Sequence, residues 1–97
     1  MLTIDLQQVL NSNEYVLVDF YATWCQPCNA LTPILERVKD EIAVIKVNVE
    51  EEPEFAEQYG VSALPTLVFF QKGVVKQRVV GLTSEAKIRE IVGELKA

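Results

Sequence analysis

The sequence predicts an α/β domain in which a central mixed β-sheet of four to five strands is flanked by helices on both faces. Three observations indicate this fold class. Helix-like and strand-like segments alternate along the chain, the strand-like segment 15–21 is apolar on both faces except at Asp19, and a short turn separates the β-rich segments 66–70 and 74–80. Because a strand that is apolar on both faces must be covered on both sides, we expect 15–21 at the centre of the sheet.

The first half of the chain predicts two helices that alternate with two strands. The spacing of apolar residues indicates a first helix from Leu6, which the polar residues 11–13 are expected to end as a turn. The same spacing predicts a second helix over about 25–40 with a kink at Pro33, followed by a largely buried strand over 43–49. A strand, a helix and a strand in this order predict a right-handed crossover between parallel strands.

The second half predicts a short helix, a hairpin and a final helix. Residues 53–59 are expected to form the short helix, which ends at Gly60. A turn at 71–73 joins the two β-rich segments as a hairpin, which makes the sheet mixed. Ser84 is a good N-cap for the final helix. Residues 1–4 have no assigned element, so a first edge strand has little room.

Composition and charge restrict what the protein does. The 97 residues fit a single domain, 1–97, and the net charge of −5 argues against binding to nucleic acid or to an anionic membrane surface. No apolar run is long enough to span a membrane, and the N-terminus lacks the pattern of a secretion signal. Two cysteines so close together do not form a disulfide framework, which favours a reducing compartment, the cytoplasm. We expect a monomer with no bound cofactor.

The candidate site is the segment Trp24-Cys25-Gln26-Pro27-Cys28, where the central strand passes into the second helix. Two cysteines three positions apart in a first helical turn lie on one face, so they can form and open a disulfide. The positive end of the helix is expected to lower the pKa of the first thiol, which predicts Cys25 as the nucleophile. Cys28 lies a turn further in and is predicted to be the shielded, resolving thiol.

A zinc or iron–sulfur half-site is the alternative interpretation of this cysteine pair. The sequence has no histidine and no third cysteine, so one copy lacks four soft ligands, and only a dimer that shares two pairs could supply them. No metal is therefore predicted for the single chain. The absence of histidine also excludes a Cys-His arrangement of a protease or transferase.

Asp19 and Lys46 interrupt the apolar runs of two predicted neighbouring strands. A buried Asp19 carboxylate is expected to have a raised pKa and to transfer protons near neutral pH beneath the sulfurs. The alternative is an edge strand from which Asp19 points to water. Lys46 either pairs with Asp19 or extends its ammonium group into solvent.

These residues resemble the thioredoxin family. The segment 18–28 is similar to the family's strand and active-site turn, and the Ala-Leu-Pro-Thr segment 63–66 is similar to the loop whose proline faces the cysteines. Lys72-Gly73 before the last strand and Gly81 after it also fit the family pattern. The resemblance extends from about residue 14 to the C-terminus and implies the thioredoxin fold.

The resemblance also assigns functions to individual residues. It implies that Asp19, with Lys46 as its neighbour, helps to deprotonate the resolving thiol. It further implies that Pro65 is cis, so that the backbone of the preceding residue pairs with an extended substrate segment. The implied apolar platform around the sulfur consists of Trp24, Pro27, Leu64, Pro65 and Leu82.

Two positions depart from the family pattern. Gln26 stands where the typical motif has glycine, at a position that influences the reduction potential. Asn29 replaces a basic residue that often follows the second cysteine, which removes one positive charge near the site.

The function that these features predict is the reduction of disulfides in target proteins by exchange with a dithiol. After each cycle, a separate thioredoxin reductase is expected to restore the dithiol. One alternative is a specialised redox protein, either an oxidant, an isomerase or a glutathione-linked protein. The other is a thioredoxin-fold binding module that has no catalytic activity.

Overall fold

The computed structural model describes residues 5–97, which form four helices and four strands. In chain order these elements are α1 (Leu6–Ser12), β1 (Tyr15–Tyr21), α2 (Gln26–Val38), β2 (Ala43–Asn48), α3 (Pro53–Gln58), β3 (Thr66–Gln71), β4 (Val74–Val80) and α4 (Glu85–Lys96). The strands form one sheet in the order β2-β1-β3-β4, in which β1 and β2 are parallel and β3 is antiparallel to both β1 and β4. The predicted mixed sheet is confirmed. The edge strand considered for residues 1–4 lies outside the described residues.

The central strand β1 is covered on both faces of the sheet. Leu17 packs with α2 and α4 on one face, while Val18 and Phe20 pack with α1 and α3 on the other. The five central residues of β1 are fully buried, which confirms the expected position of this strand. Because side chains alternate along a strand, Asp19 and Tyr21 lie on the same face as Leu17, the face that α2 covers.

Helix α1 continues further than the sequence predicts. Residues 11–13 were expected to form a turn, but Asn11 is helical and the helix ends only after Ser12. The Gln7 side chain donates to the Asn11 side chain at 3.2 Å, and the Asn13 amide donates to the Val9 carbonyl at 2.9 Å. These bonds satisfy polar groups of the last turn, and the helix continues to Ser12, with Asn13 as its C-cap.

Several other predicted boundaries shift by one or two residues. Helix α2 begins after Cys25, whose backbone is extended, and continues through Pro33. Gln71 belongs to β3, so the hairpin loop contains only Lys72 and Gly73, with φ values of 53° and 80°. Positive φ at both central residues is typical of the type I′ turn, whose twist matches the two strands that it joins.

Helix α4 is capped and anchored by side chains. The Ser84 hydroxyl accepts a hydrogen bond from the Lys87 backbone N–H at 3.1 Å, which confirms the predicted N-cap. Glu85 binds Arg37 of α2 at 2.7 Å and Arg89 of its own helix at 3.0 Å. The Glu85–Arg37 pair joins the exposed edges of the two helices that cover the Leu17 face of the sheet. Within residues 5–97, every helix is too short or too polar to cross a bilayer.

Removal of the α4 cap should destabilise the protein moderately. Ser84→Ala leaves the first N–H groups of α4 without the hydroxyl acceptor, and we expect the free energy of unfolding to fall by about 1 kcal/mol. Chemical denaturation measures this change. Ser62→Ala, at an exposed loop position, is the control and should have little effect. Equal losses in the two variants would contradict a capping role.

Candidate functional site

The two cysteines lie where β1 passes into α2. Cys25 is the N-cap of α2 and Cys28 lies in its first turn, and the two are joined in a disulfide with their Cα atoms 5.2 Å apart. The Cys25 backbone N–H donates to the Ala22 carbonyl at 3.2 Å, which closes the turn between strand and helix. Pro27 occupies a first-turn position, where a backbone N–H would have no partner within the helix. Local sequence thus fixes the pair at the start of the helix.

The start of α2 favours negative charge on the first sulfur. The Cys28 backbone N–H donates to Cys25 Sγ at 3.3 Å. This bond and the positive end of the helix would both stabilise a Cys25 thiolate once the disulfide opens. The Asn29 amide donates to the Thr23 carbonyl at 3.3 Å. Asn29, at a position where the family often has a basic residue, therefore stabilises the turn between β1 and α2.

Both sulfurs lie in an apolar enclosure. Cys25 is 5% exposed and Cys28 is 2% exposed, whereas the preceding residue, Trp24, is 67% exposed. Gln26 and Pro27 are also exposed. The cluster around the sulfurs consists of Tyr21, Ala22, Val49 and Leu64. Because the two cysteines are almost equally buried, exposure does not distinguish them, but their positions at the helix start do.

The indole of Trp24 is held by Glu50, a residue that the sequence analysis missed. Trp24 Nε1 donates to Glu50 Oε2 at 3.0 Å, and the Glu50 backbone N–H donates to the Asn48 side chain at 2.9 Å. Glu50 belongs to a run of glutamates, in which nothing distinguishes it by residue type. The signal that could have found it is the parallel pairing of β1 and β2, because the loops that follow parallel neighbours meet at one end of the sheet.

The loop before β3 completes the surroundings of the sulfurs. Leu64 packs against the cysteine cluster, and the Leu64–Pro65 peptide bond is cis. The Pro65 carbonyl accepts a hydrogen bond at 2.8 Å from the N–H of Gly81, whose φ of 91° favours glycine. Leu82 follows and is 58% exposed. Within residues 5–97, the Leu64 backbone N–H and C=O have no hydrogen-bond partner, so one donor and one acceptor remain free beside the disulfide.

Asp19 lies in the interior of the sheet, on the face that α2 covers. Its exposure is 0%, and neither carboxylate oxygen has a hydrogen-bond partner within the described residues. Burial raises the pKa of Asp19 to about 6, although the positive charge of Lys46 acts to lower it. Along β1, the next residue on the same face is Tyr21, which packs against the cysteines. The alternative of an edge strand with Asp19 in water is wrong, because β1 is central.

Lys46 is the β2 residue directly opposite Asp19. Its Nζ donates to Thr32 Oγ1 at 3.4 Å and lies 4.5 Å from the centroid of the Tyr21 ring. The residue as a whole is exposed, and none of the ion pairs within residues 5–97 joins it to Asp19. Lys46 therefore extends toward solvent and acts on Asp19 through its charge rather than through contact.

The described residues thus bring some predicted site residues together and leave others apart. Cys25, Cys28 and Leu64 share one cluster, the exposed Trp24 next to Cys25 is held by Glu50, and Lys46 remains outside the cluster. A cysteine pair that forms a disulfide at the start of a helix, in a four-stranded mixed sheet flanked by helices, defines a thiol–disulfide oxidoreductase with the thioredoxin fold.

Comparisons with known proteins identify the family. The thioredoxin family model matches residues 5–94. A thioredoxin from Chlamydia caviae is 44% identical over 82 residues, which cover 81% of this chain and 80% of the relative. A bifunctional thioredoxin reductase/thioredoxin from Mycobacterium leprae is 40% identical over 84 residues, which cover 82% of this chain and 18% of that relative.

The structural comparison leads to the same family. A solved mutant thioredoxin from Halobacterium salinarum matches with a TM-score of 0.92 at 38% identity, over 96% of this chain and 84% of the other. The chain belongs to the thioredoxin family. Its activity is that of a protein-disulfide reductase.

The burial of Asp19 should make stability depend on pH. A carboxyl whose pKa rises from 3.8 to about 6 on folding binds its proton more tightly in the folded state, so the free energy of unfolding falls as the pH rises through this interval. Above a pH of about 6, the full cost of burying the ionised carboxylate lowers the free energy of unfolding. Asp19→Asn removes the penalty, and we expect the oxidised protein to gain about 2–3 kcal/mol at neutral pH and little below the lower pKa.

Denaturant unfolding of the oxidised protein at neutral pH and at a pH below 3.8 tests this expectation. Glu94→Gln, which removes an exposed carboxylate from α4, is the matched control and should follow the wild-type profile. A gain in Asp19→Asn that is the same at both pH values would show that the stabilisation does not come from the titration of this carboxyl.

Proposed function

We propose that Cys25 is the nucleophile of this reductase and that Cys28 is its resolving thiol. The observation that carries this assignment is the hydrogen bond from the Cys28 backbone N–H to Cys25 Sγ at the N-cap of α2. A donor at this position favours the thiolate of Cys25, and the sulfur of Cys28 has no equivalent place at the helix start. Cys28 therefore stays protonated until the first exchange has occurred.

The proposed reaction consists of two exchanges. The Cys25 thiolate attacks one sulfur of a disulfide in the target protein, which forms a mixed disulfide and releases the other target sulfur as a thiolate that takes a proton from water. Cys28 then gives up its proton and attacks Cys25 Sγ, so that the second target sulfur leaves and the Cys25–Cys28 disulfide forms. The target gains two electrons, which the chain loses, and two protons, of which one comes from water and the other balances the proton that Cys28 releases. The Cα separation of 5.2 Å between the cysteines supports this closure.

Asp19 is proposed to accept the proton of Cys28. A carboxyl with a pKa of about 6 is largely ionised at neutral pH, yet it is a strong enough base to take up a proton transiently. Its lack of a hydrogen-bond partner within residues 5–97 leaves both oxygens available. Lys46 is proposed to tune this base, because its charge acts to lower the pKa of Asp19.

The proposed substrate-binding surface surrounds the sulfurs. An extended segment of the target pairs with the free backbone groups of Leu64, as in the addition of a β-strand. Exposed apolar side chains on either side contribute contact area, and the bond from Gly81 to the Pro65 carbonyl supports the loop. The remaining members of this surface are Trp24, Gln26, Pro27 and Leu82. We assign to Gln26 and Pro27, within the redox motif, a further influence on the reduction potential.

The proposed partners are disulfide-containing proteins and a thioredoxin reductase, between which this chain transports electrons. The Mycobacterium leprae relative, whose name combines a thioredoxin reductase with a thioredoxin, supports the second partner. We propose that the chain acts in the cytoplasm as a monomer with one thioredoxin domain over 1–97. The family match over 5–94 supports the single domain, and the presence of the complete dithiol in one chain supports the monomer.

Mixed disulfides should distinguish the two cysteines. Cys28→Ser removes the exit nucleophile, so we expect a stable covalent complex with a protein substrate through Cys25. Cys25→Ser should form none, and the double variant serves as the control. Non-reducing electrophoresis with mass spectrometry of the linked peptides measures trapping. Trapping of equal strength in the two single variants would contradict the assignment.

The pH dependence of turnover should test Asp19 as the base. Asp19→Asn removes the proton acceptor, and we expect insulin reduction to slow more at neutral pH than at high pH, where Cys28 needs less assistance to ionise. Rates measured across this range with a dithiol donor, with Glu94→Gln as the control, report the effect. A loss that is the same at every pH would argue against proton transfer by Asp19.

A further inference from the structure

Strand β4 and the residue that follows it bind the two ends of the loop that contains Leu64. At the far end of the loop, the Gly81 N–H donates to the Pro65 carbonyl at 2.8 Å. At the near end, the Arg78 guanidinium donates from Nη1 to the Tyr59 carbonyl at 2.5 Å and from Nη2 to the Gly60 carbonyl at 3.3 Å. The loop therefore spans two attachments that are only three residues apart, one within β4 and one just after it.

The carbonyls that Arg78 binds belong to the C-terminal end of α3. Helix ends leave carbonyl groups without intrahelical partners. Here the Gly60 N–H donates to the Glu57 carbonyl at 3.1 Å, and the Val61 N–H donates to the Ala56 carbonyl at 2.8 Å. Arg78 supplies donors for the carbonyls of Tyr59, the C-cap, and of Gly60, which follows it. A planar guanidinium presents two N–H groups in a fixed arrangement, which a lysine ammonium does not reproduce.

The near end of the loop is also held by Tyr59 and Val61, which pack against the core, but the residues beside them have few restraints. Gly60 has a φ of 66° and carries no side chain to pack, and Ser62 and Ala63 are exposed. On the far side, the Thr66 hydroxyl donates to the Ala63 carbonyl at 2.6 Å. Thr66 and Gly81 thus anchor the far end of the loop, whereas Arg78 binds the chain where it leaves α3.

We propose that Arg78 is a positioning residue for substrate binding, which acts by holding the loop so that the free backbone groups of Leu64 face an incoming protein segment. This inference rests on the proposed pairing of substrate with Leu64 and names a residue that the pairing depends on. Reduction of a protein disulfide, which needs the backbone pairing, therefore depends on Arg78. Reduction of a small disulfide needs only the Cys25 thiolate and does not depend on Arg78.

Arg78→Met tests the inference, because it keeps a long apolar stem and removes every donor. We expect the KM for insulin to rise about fivefold, which corresponds to roughly 1 kcal/mol, with kcat little changed. The rate of reduction of 5,5′-dithiobis(2-nitrobenzoate) should stay at the wild-type value. Arg78→Lys should restore part of the loss, because an ammonium still donates to one carbonyl. Lys76→Met removes an exposed cation from the same strand and is the matched control.

A second measurement is independent of turnover. In Arg78→Met, the amide resonances of Ala63 and Leu64 should shift, while those of Leu31 in the core should not. An unchanged KM, or equal losses with insulin and with the small disulfide, would overturn the inference while the reductase function stands. If the wild-type chain reduces neither substrate, the proposed function fails and the inference fails with it.

Discussion

The burial of β1 on both faces is the constraint on which the rest of the structure depends. A strand in this position can tolerate almost no polar group, so the one carboxylate that it contains, Asp19, loses its hydration completely. The same burial fixes the direction in which the chain emerges at Tyr21. The turn that follows must deliver Cys25 to the start of α2, because α2 has to cover the face of the sheet that Leu17 occupies.

The sheet topology then determines which segments meet at the disulfide. Parallel pairing of β1 with β2 brings the loops after both strands to one end of the sheet, where Trp24 and Glu50 make contact. Antiparallel pairing of β1 with β3 places the beginning of β3 at that same end, and with it Leu64. Two segments that are distant from the motif in sequence, the end of β2 with its following loop and the loop before β3, therefore meet it near the cysteines.

Two opposite electrostatic environments lie next to each other in this site. The helix start offers N–H donors and favours the charged form of Cys25, while the interior offers Asp19 no donor and favours its neutral form. The first environment promotes a thiolate, and the second produces a carboxyl whose pKa is about 6. These environments support the roles proposed for Cys25 as a nucleophile and for Asp19 as a base in the exchange between thiols and disulfides. The charge of Lys46 lowers the pKa of Asp19 less than burial raises it, because Lys46 lies in solvent, where water and salt weaken its action.

The features that depend on neighbouring residues could be predicted from residue patterns alone. Apolar periodicity indicated the helices and strands, the continuous apolar character of 15–21 indicated a central strand, Ser84 indicated a cap, and the cysteine spacing indicated a disulfide. The hydrogen-bond partners of long side chains became clear only from the folded arrangement. Glu50 accepts a hydrogen bond from Trp24, Arg78 donates to carbonyls after α3, and Lys46 donates to Thr32 rather than to Asp19. The physical reason is that backbone propensity and burial pattern are local properties of a chain. The partner of a flexible charged side chain, in contrast, depends on how separate elements pack against one another, and residue type alone does not specify it.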